Sequence, residues 1–183
     1  GGSTVYVTGH SLGGCVATMV GPYLQGRSWQ QKPQFALLTF AAPTAGLQGF
    51  ADAVESLTWS LQERHLNAYD LVPLAWDDIT AADNWYPAPG PAASTKDKAI
   101  LETISKSTNG HVYVQPGVPL AVNSDYSTFD PEEVQDFTGQ VGFQHANPTY
   151  LSLLDAPSTV AAPAVESMAP ASGSAGTPVT INR

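Results

Sequence analysis

The first third of the chain alternates short apolar runs with longer amphipathic stretches. Residues 4–8 and 35–40 form apolar runs, which are typical of strands buried on both faces of a parallel sheet. Helical spacing follows each run, over 12–24 and over 47–61, and a third strand is predicted at 64–69. This alternation of strands and helices predicts an α/β fold with a parallel sheet and flanking helices.

The pattern is weaker beyond residue 73, where proline, aspartate and aromatic residues predict a loop over 76–94 with one short helix. The later elements predicted are a helix over 96–107, a hairpin of 111–114 with 120–122, and helices over 131–137 and 147–154. Within the helix over 12–24, Val16, Met19, Val20 and Tyr23 recur at helical spacing, and Pro22 is expected to end or kink it.

The composition changes at residue 156. Residues 156–164 hold only Ala, Pro, Ser, Thr and Val, which is typical of a linker. Residues 165–183 predict a strand, a Gly/Ser turn and a second strand. They resemble the opening hairpin of an immunoglobulin-like IPT/TIG module, with a disordered tail as the alternative. The predicted organisation is therefore a main domain over 1–155, the linker, and the start of a second domain.

Charge and cysteine content narrow the function classes. The chain has 183 residues, 43% of them hydrophobic, and a formal net charge of −9 with 13% charged residues. Such an acidic, sparsely charged chain argues against nucleic acid partners and against electrostatic anchoring to anionic membranes. Cys15 is the only cysteine, which rules out an intrachain disulfide and favours a buried small hydrophobe over a catalytic thiol.

The clearest chemical motif is Gly9-His10-Ser11-Leu12-Gly13-Gly14, between the first predicted strand and the first predicted helix. A serine at this turn projects its hydroxyl above the end of the sheet, and small neighbours allow the close backbone approach. We interpret Gly9 and Gly13 as these small residues and Gly14 as the site of close helix packing. The pattern predicts a nucleophile elbow; the alternative is an ordinary glycine-rich turn.

A serine nucleophile needs a base, and the base needs an acid that fixes its tautomer. In hydrolases built on this elbow the chain order is serine, acid, histidine. Asp70 follows the third predicted strand and is the preferred acid, with an N-cap role as the alternative.

His145 follows all the core elements and is the preferred base. His111 is the runner-up, and His65 precedes the acid, in the wrong order. His10 is expected to face away from the serine.

These residues together resemble the class 3 lipase family of fungal triacylglycerol lipases and their bacterial relatives. The resemblance rests on the elbow, on residues 40–46 (Phe-Ala-Ala-Pro-Thr-Ala-Gly), on 67–73 (Asn-Ala-Tyr-Asp-Leu-Val-Pro), and on His145 with Tyr150 downstream. It implies an α/β-hydrolase fold, fatty-acid ester substrates, no metal and no cofactor. It also implies Ser11 as nucleophile, Asp70 as acid and His145 as base.

The family's first oxyanion donor and the strands flanking the elbow strand precede the elbow, so we expect this sequence to be part of a longer enzyme. Leu12 is expected to supply one oxyanion N–H. Trp76, Trp85 and Tyr86 could wall an acyl pocket, but a role in capping the sheet is favoured.

The expected function is ester hydrolysis by a secreted lipase of lipid catabolism, through an acyl-enzyme. A phospholipase or a short-chain esterase would use the same residues. An inert hydrolase-fold binding or scaffold protein is the alternative from another class. Contact with a lipid interface is compatible with the sequence, which leaves the oligomeric state open.

Overall fold

The computed structural model describes residues 2–77, 79–126, 136–157, 167–169 and 180–182. The strands are β1 (Thr4–His10), β2 (Gln34–Phe40), β3 (Leu61–Leu66), β4 (Pro119–Ala121), β5 (Ser167–Ala169) and β6 (Thr180–Asn182). The α-helices are α1 (Leu12–Gln25), α2 (Gln48–Glu55), α3 (Thr95–Ser107), α4 (Phe137–His145) and α5 (Asn147–Leu153). Short 3₁₀ helices span Val72–Leu74 and Ile79–Asn84.

Strands β1 to β4 form one parallel sheet in the order β1-β2-β3-β4. Strand β2 lies between two neighbours, and its apolar residues Phe35, Ala36 and Leu37 are buried. Leu37 packs with Ala17 of α1 and Val54 of α2, so these helices cover the sheet through small and β-branched side chains. The predicted parallel α/β arrangement is confirmed, and the described fold is that of a partial α/β-hydrolase.

The second predicted helix is too long and the third predicted strand is displaced. Helix α2 ends at Glu55, and the chain turns so that Ser60 donates hydrogen bonds to the Phe35 carbonyl from its backbone N–H and its hydroxyl, at 2.8 and 3.0 Å. Strand β3 therefore begins at Leu61 and ends at Leu66. The apolar spacing through Leu57 and Leu61 is helical, but backbone pairing with β2 determines where the helix stops.

The predicted hairpin of 111–114 with 120–122 is wrong. Strand β4 pairs in parallel with β3, whereas Tyr113 forms an antiparallel bridge with Leu47. The backbone turns away at Gly117, at a φ of 79°, where the Gly117 N–H donates to the Glu55 carboxylate. Each segment thus pairs with a distant part of the chain, and sequence spacing does not reveal that preference.

Helix α1 continues through Pro22 as far as Gln25, so the proline does not end it, and the alternative prediction of a kink stays a prediction. The residues that it buries include Gly14, Ala17, Thr18 and Gly21. Its large apolar side chains face outward in the described structure, with exposed fractions of 43% at Val16, 44% at Met19, 38% at Val20 and 62% at Tyr23.

Besides the cluster of Leu37, Ala17 and Val54, a second apolar cluster is formed largely by the segment that follows β3. Its buried members are Leu71, Ile79, Ala82, Tyr86, Ala93, Leu101 and Phe137, and Trp85 packs against it. Tyr86 and Trp85 therefore have a packing role within this cluster, which contains no residue of the sheet, whereas Trp76 is 39% exposed. The short helix predicted within this loop is present at Ile79–Asn84.

Parts of three predictions lie outside the described residues: the helix over 131–137 as far as residue 135, the linker from residue 158, and most of 165–183. Within that last range, β5 and β6 pair in antiparallel fashion, with Met168 opposite Ile181. No helix in the described part of the chain is long and apolar enough to cross a bilayer.

Candidate active site

Ser11 lies at the turn between β1 and α1 in a strained conformation, with φ 57° and ψ −129°. Its N–H donates to the Phe40 carbonyl at 2.9 Å, which fixes the turn to the neighbouring strand. A Cβ on Gly9 would lie 2.3 Å from the carbonyl carbon of Gly13, and a Cβ on Gly14 would lie 2.8 Å from the Cβ of Ala42. The elbow therefore needs glycine at these two positions.

Gly13 differs from this expectation. A Cβ at Gly13 would have no other atom within 4 Å, so the backbone of residue 13 must approach Gly9 but its side chain need not be absent. Glycine is therefore not required at residue 13, while the prediction of a small residue there stays a prediction.

Asp70 lies four residues beyond the end of β3, in the turn that leads to the first 3₁₀ helix, rather than directly at the end of the strand. It is only 2% exposed. Its Oδ1 accepts a hydrogen bond from the Val72 N–H at 2.9 Å. This contact leaves Oδ2 for partners from α4 and α5.

His145 is the last residue of α4, not a loop residue, and its ring lies between Ser11 and Asp70. Its Nε2 is 2.7 Å from Ser11 Oγ, and its Nδ1 is 2.9 Å from Asp70 Oδ2. A carboxylate only accepts, so Nδ1–H donates to Asp70, and Nε2 is then the acceptor for the Ser11 hydroxyl. The structure thus brings together the three side chains selected from the sequence.

A further tyrosine bonds to the same carboxylate. The buried Tyr150 hydroxyl donates to Asp70 Oδ2 at 2.9 Å and accepts from the Asn67 N–H at 2.8 Å. Burial and the nearby negative charge of Asp70 raise the pKa of Tyr150, which keeps its hydroxyl protonated as a donor. Sequence reasoning noted Tyr150 but did not assign it this contact.

The segment before Asp70 is fixed to the end of α4. The Asn67 side-chain amide donates to the backbone carbonyl of Gln144 at 3.0 Å and to its side-chain oxygen at 2.6 Å. Asn67 and Gln144 are both buried. Since these residues adjoin the acid and the base, their bonds set the distance between Asp70 and His145. Asn67 begins the segment 67–73 that carries the family resemblance, but nothing in the sequence predicts its pairing with Gln144.

His10 does not face away from the site as expected. Its ring centroid is 4.9 Å from that of His145 and 5.2 Å from that of Tyr150. Burial, followed by the charge of His145, lowers the pKa of His10; its hydrogen bond to the His145 backbone and the charge of Asp70 act in the opposite direction. The prediction fails because the side chain turns toward α4, which local sequence does not reveal.

The other candidates lie elsewhere. His111 is exposed beyond α3. His65 pairs with Glu63 at 2.8 Å and stacks on Phe40. Cys15 is partly buried, and burial raises the pKa of its thiol, which disfavours the thiolate.

Leu12 is the first residue of α1, so its N–H has no acceptor within the helix. Among the described residues, no group of three or more His, Cys, Asp or Glu side chains could hold a metal ion.

An apolar cavity of about 220 Å³ adjoins the acid. Leu71 and Val72, which follow Asp70, form part of its wall, and Val141 contributes from α4 one turn before His145. The remaining lining residues are Ala75, Ile79, Asp97, Ile100, Leu101, Ile104, Phe137 and Thr138. Trp76, Trp85 and Tyr86, the residues considered from the sequence, do not line it.

Comparison with known proteins agrees with this geometry. Residues 2–77 match the family described as Lipase (class 3). Seventeen chains of solved structures match. Among them is M37 lipase, with a TM-score of 0.70 and 25% identity over 85% of this chain. The match covers 46% of the M37 lipase chain, so this chain spans less than half of that length. No curated protein matches.

The family match covers the elbow, β2, β3 and Asp70, and the structural match extends over most of the remaining chain. Together they support a likeness to the class 3 lipase family and the α/β-hydrolase fold.

Proposed function

We propose that the protein is a serine carboxylic-ester hydrolase, a triacylglycerol lipase of lipid catabolism that acts through an acyl-enzyme. The observation that carries the proposal is the continuous line of hydrogen bonds from Ser11 Oγ through the His145 ring to the buried Asp70 carboxylate. This arrangement can take a proton from the hydroxyl and stabilise the imidazolium that results.

In the proposed reaction, Ser11 Oγ attacks the ester carbonyl while His145 Nε2 takes its proton. The tetrahedral intermediate collapses, the bond to the alcohol breaks, and His145 returns the proton to the leaving alkoxide. A water molecule then attacks the acyl-enzyme by the same route and releases the fatty acid. Asp70 keeps its negative charge throughout and holds the protonated ring in place.

The backbone N–H of Leu12 is the proposed donor to the oxyanion in both steps. The N–H of Ser11 is already bonded to Phe40, so Leu12 is the nearest helical donor to the attacking oxygen.

The acyl chain is proposed to occupy the cavity beside Asp70. Its lining is almost wholly apolar, and its volume exceeds the roughly 150 Å³ that suffices for a benzene-sized ligand in a dry cavity. A wall that begins at Leu71 and Val72, next to the acid, would direct an acyl chain away from the serine along α3 and α4. This placement favours a substrate with a medium or long apolar acyl group.

The test is hydrolysis of p-nitrophenyl esters of increasing chain length. Ser11→Ala should abolish hydrolysis of every ester. Ile104→Trp should fill the cavity and lower kcat/KM for long acyl chains while acetate hydrolysis continues. Val112→Trp is the matched control, because Val112 is 74% exposed and outside the cavity. Equal loss for short and long chains in Ile104→Trp would contradict the cavity assignment.

The dependence of hydrolysis on acyl chain length also distinguishes a lipase from the other enzymes considered, the short-chain esterase and the phospholipase. A preference for acetate or butyrate in the unmodified protein would favour a short-chain esterase, and selective release of fatty acid from phospholipids would favour a phospholipase. A protein in which a fluorophosphonate does not label Ser11 would be an inert hydrolase-fold binding protein. We also propose that the protein is secreted and that it contacts a lipid interface.

A further inference from the structure

The ring of His10 packs against the ring of the candidate base, His145. His10 is the last residue of β1, directly before Ser11, and its ring lies 4.9 Å from the His145 ring with an angle of 36° between the planes. The Tyr150 ring meets it edge-on at 5.2 Å. The His145 ring is thus hydrogen-bonded at both nitrogens and packed against His10.

His10 and Tyr150 each contact one partner of the hydrogen bond between His145 and Asp70. Tyr150 donates to Asp70, and His10 packs against His145, which donates to the same carboxylate oxygen. An imidazole that bridges two partners can still tilt about the line between them, because its two hydrogen bonds do not prevent that motion. A second ring packed against the imidazole prevents the tilt.

The charge of His10 matters as well, because His145 becomes a cation when it takes the proton of Ser11. A second cation at this distance would oppose that step. The groups that face His10 are His145, Asp70 and Tyr150, and its own Nε2 is buried without a hydrogen-bond partner. Such surroundings favour a neutral ring.

Building on the proposed function, we propose that His10 is a positioning residue. Its neutral ring packs between His145 and Tyr150 and holds the His145 imidazole in line with Ser11 and Asp70. His10 does not touch the reacting atoms. Its effect is on the orientation and the protonation of the base.

The test uses His10→Ala, His10→Phe and His10→Lys in the intact protein, with three measurements. These are kcat and KM for an ester, the pH dependence of fluorophosphonate labelling of Ser11, and the downfield proton NMR signal of the His145 Nδ1–H. His65→Ala is the matched control. His65 lies in the same cross-strand row as His10, through Phe40, but is not in contact with His145.

We expect His10→Ala to lower kcat and the labelling rate by about tenfold or more with little change in KM, because a misplaced base slows the chemical step. The NMR signal should broaden or disappear. His10→Phe should recover part of the rate, since it is neutral and fills the same space but lacks the hydrogen bond to the His145 backbone. His10→Lys should stay slow and shift the acid limb of the labelling profile to lower pH, because a cation disfavours protonation of His145.

The inference would be overturned if His10→Ala matched the unmodified protein in three respects. These are the rate of labelling, the NMR signal of the His145 Nδ1–H, and the pH midpoint of the labelling profile. So would a His10→Phe variant no better than His10→Ala. If the unmodified protein labels and shows the signal but hydrolyses no ester, the proposed function fails, while labelling and NMR still decide the role of His10.

Discussion

At the residue scale, the Asp70 carboxylate is buried yet fully bonded. Val72 donates to Oδ1, and His145 and Tyr150 both donate to Oδ2. A buried charge is costly unless such bonds compensate it, so each donor contributes to orienting the Asp70 carboxylate and to offsetting the cost of its burial. Tyr150 is the side-chain donor that lies outside the predicted catalytic set.

Removing the Tyr150 hydroxyl should therefore affect stability and activity together. Tyr150→Phe takes one donor from Asp70 and leaves the buried Asn67 N–H without its acceptor. We expect a loss of about 1–3 kcal/mol in the free energy of unfolding, measured in urea, and a lower kcat. Unchanged stability and kcat would show that water replaces the hydroxyl at no cost.

His10 should contribute to the pH dependence of stability. Its pKa in the folded protein lies below the ordinary value of 6.5, so the unfolded chain binds its proton first as the pH falls. This contribution to stability is fully present above pH 6.5 and is lost as the pH falls through the folded pKa. The loss of unfolding free energy between about pH 7.5 and about pH 5.5 should be smaller in His10→Phe. An equal or larger loss in the variant would contradict the lowered pKa.

At the element scale, chain order and elbow chemistry are enough to select Ser11, Asp70 and His145, because local sequence encodes a strand, a glycine-rich turn and a polar residue after a strand. Contacts between distant segments were not predictable. Asn67 meets Gln144 and Tyr150, 77 and 83 residues later in the chain, and nothing in the local pattern of either partner signals the pairing. The same limitation explains the wrong hairpin, since Tyr113 pairs with Leu47.

The elbow offers a matched pair of glycine substitutions. Gly9→Ala would place a methyl group 2.3 Å from the Gly13 backbone, and the turn cannot open without separating β1 from α1. We expect failure to fold or a loss of several kcal/mol. Gly13→Ala meets nothing within 4 Å and should stabilise the helix by about 0.5–1 kcal/mol. Thermal unfolding of the two variants tests this, and similar melting temperatures would contradict the elbow geometry.

At the scale of the whole molecule, the described chain presents an apolar face along α1. Tyr6 of β1 and Leu12, Met19 and Tyr23 of α1 are exposed by 44% to 69%. Contiguous apolar exposure of this kind favours association.

We expect the 183-residue chain to bind the dye ANS and to self-associate through this face. Met19→Lys combined with Tyr23→Lys should reduce both effects, as measured by ANS fluorescence and sedimentation, while Val112→Lys, at an exposed site elsewhere, should not. If the double variant binds as much dye and associates as strongly as the unmodified chain, the face is not responsible.

The most direct test of the account is acid quenching of a reaction with a p-nitrophenyl ester, followed by mass spectrometry of the peptides. We predict an acyl group on the peptide that contains Ser11, absent in Ser11→Ala and formed much more slowly in His145→Ala over a series of quench times. An acyl group on another residue, or ester hydrolysis that persists in Ser11→Ala, would contradict the account.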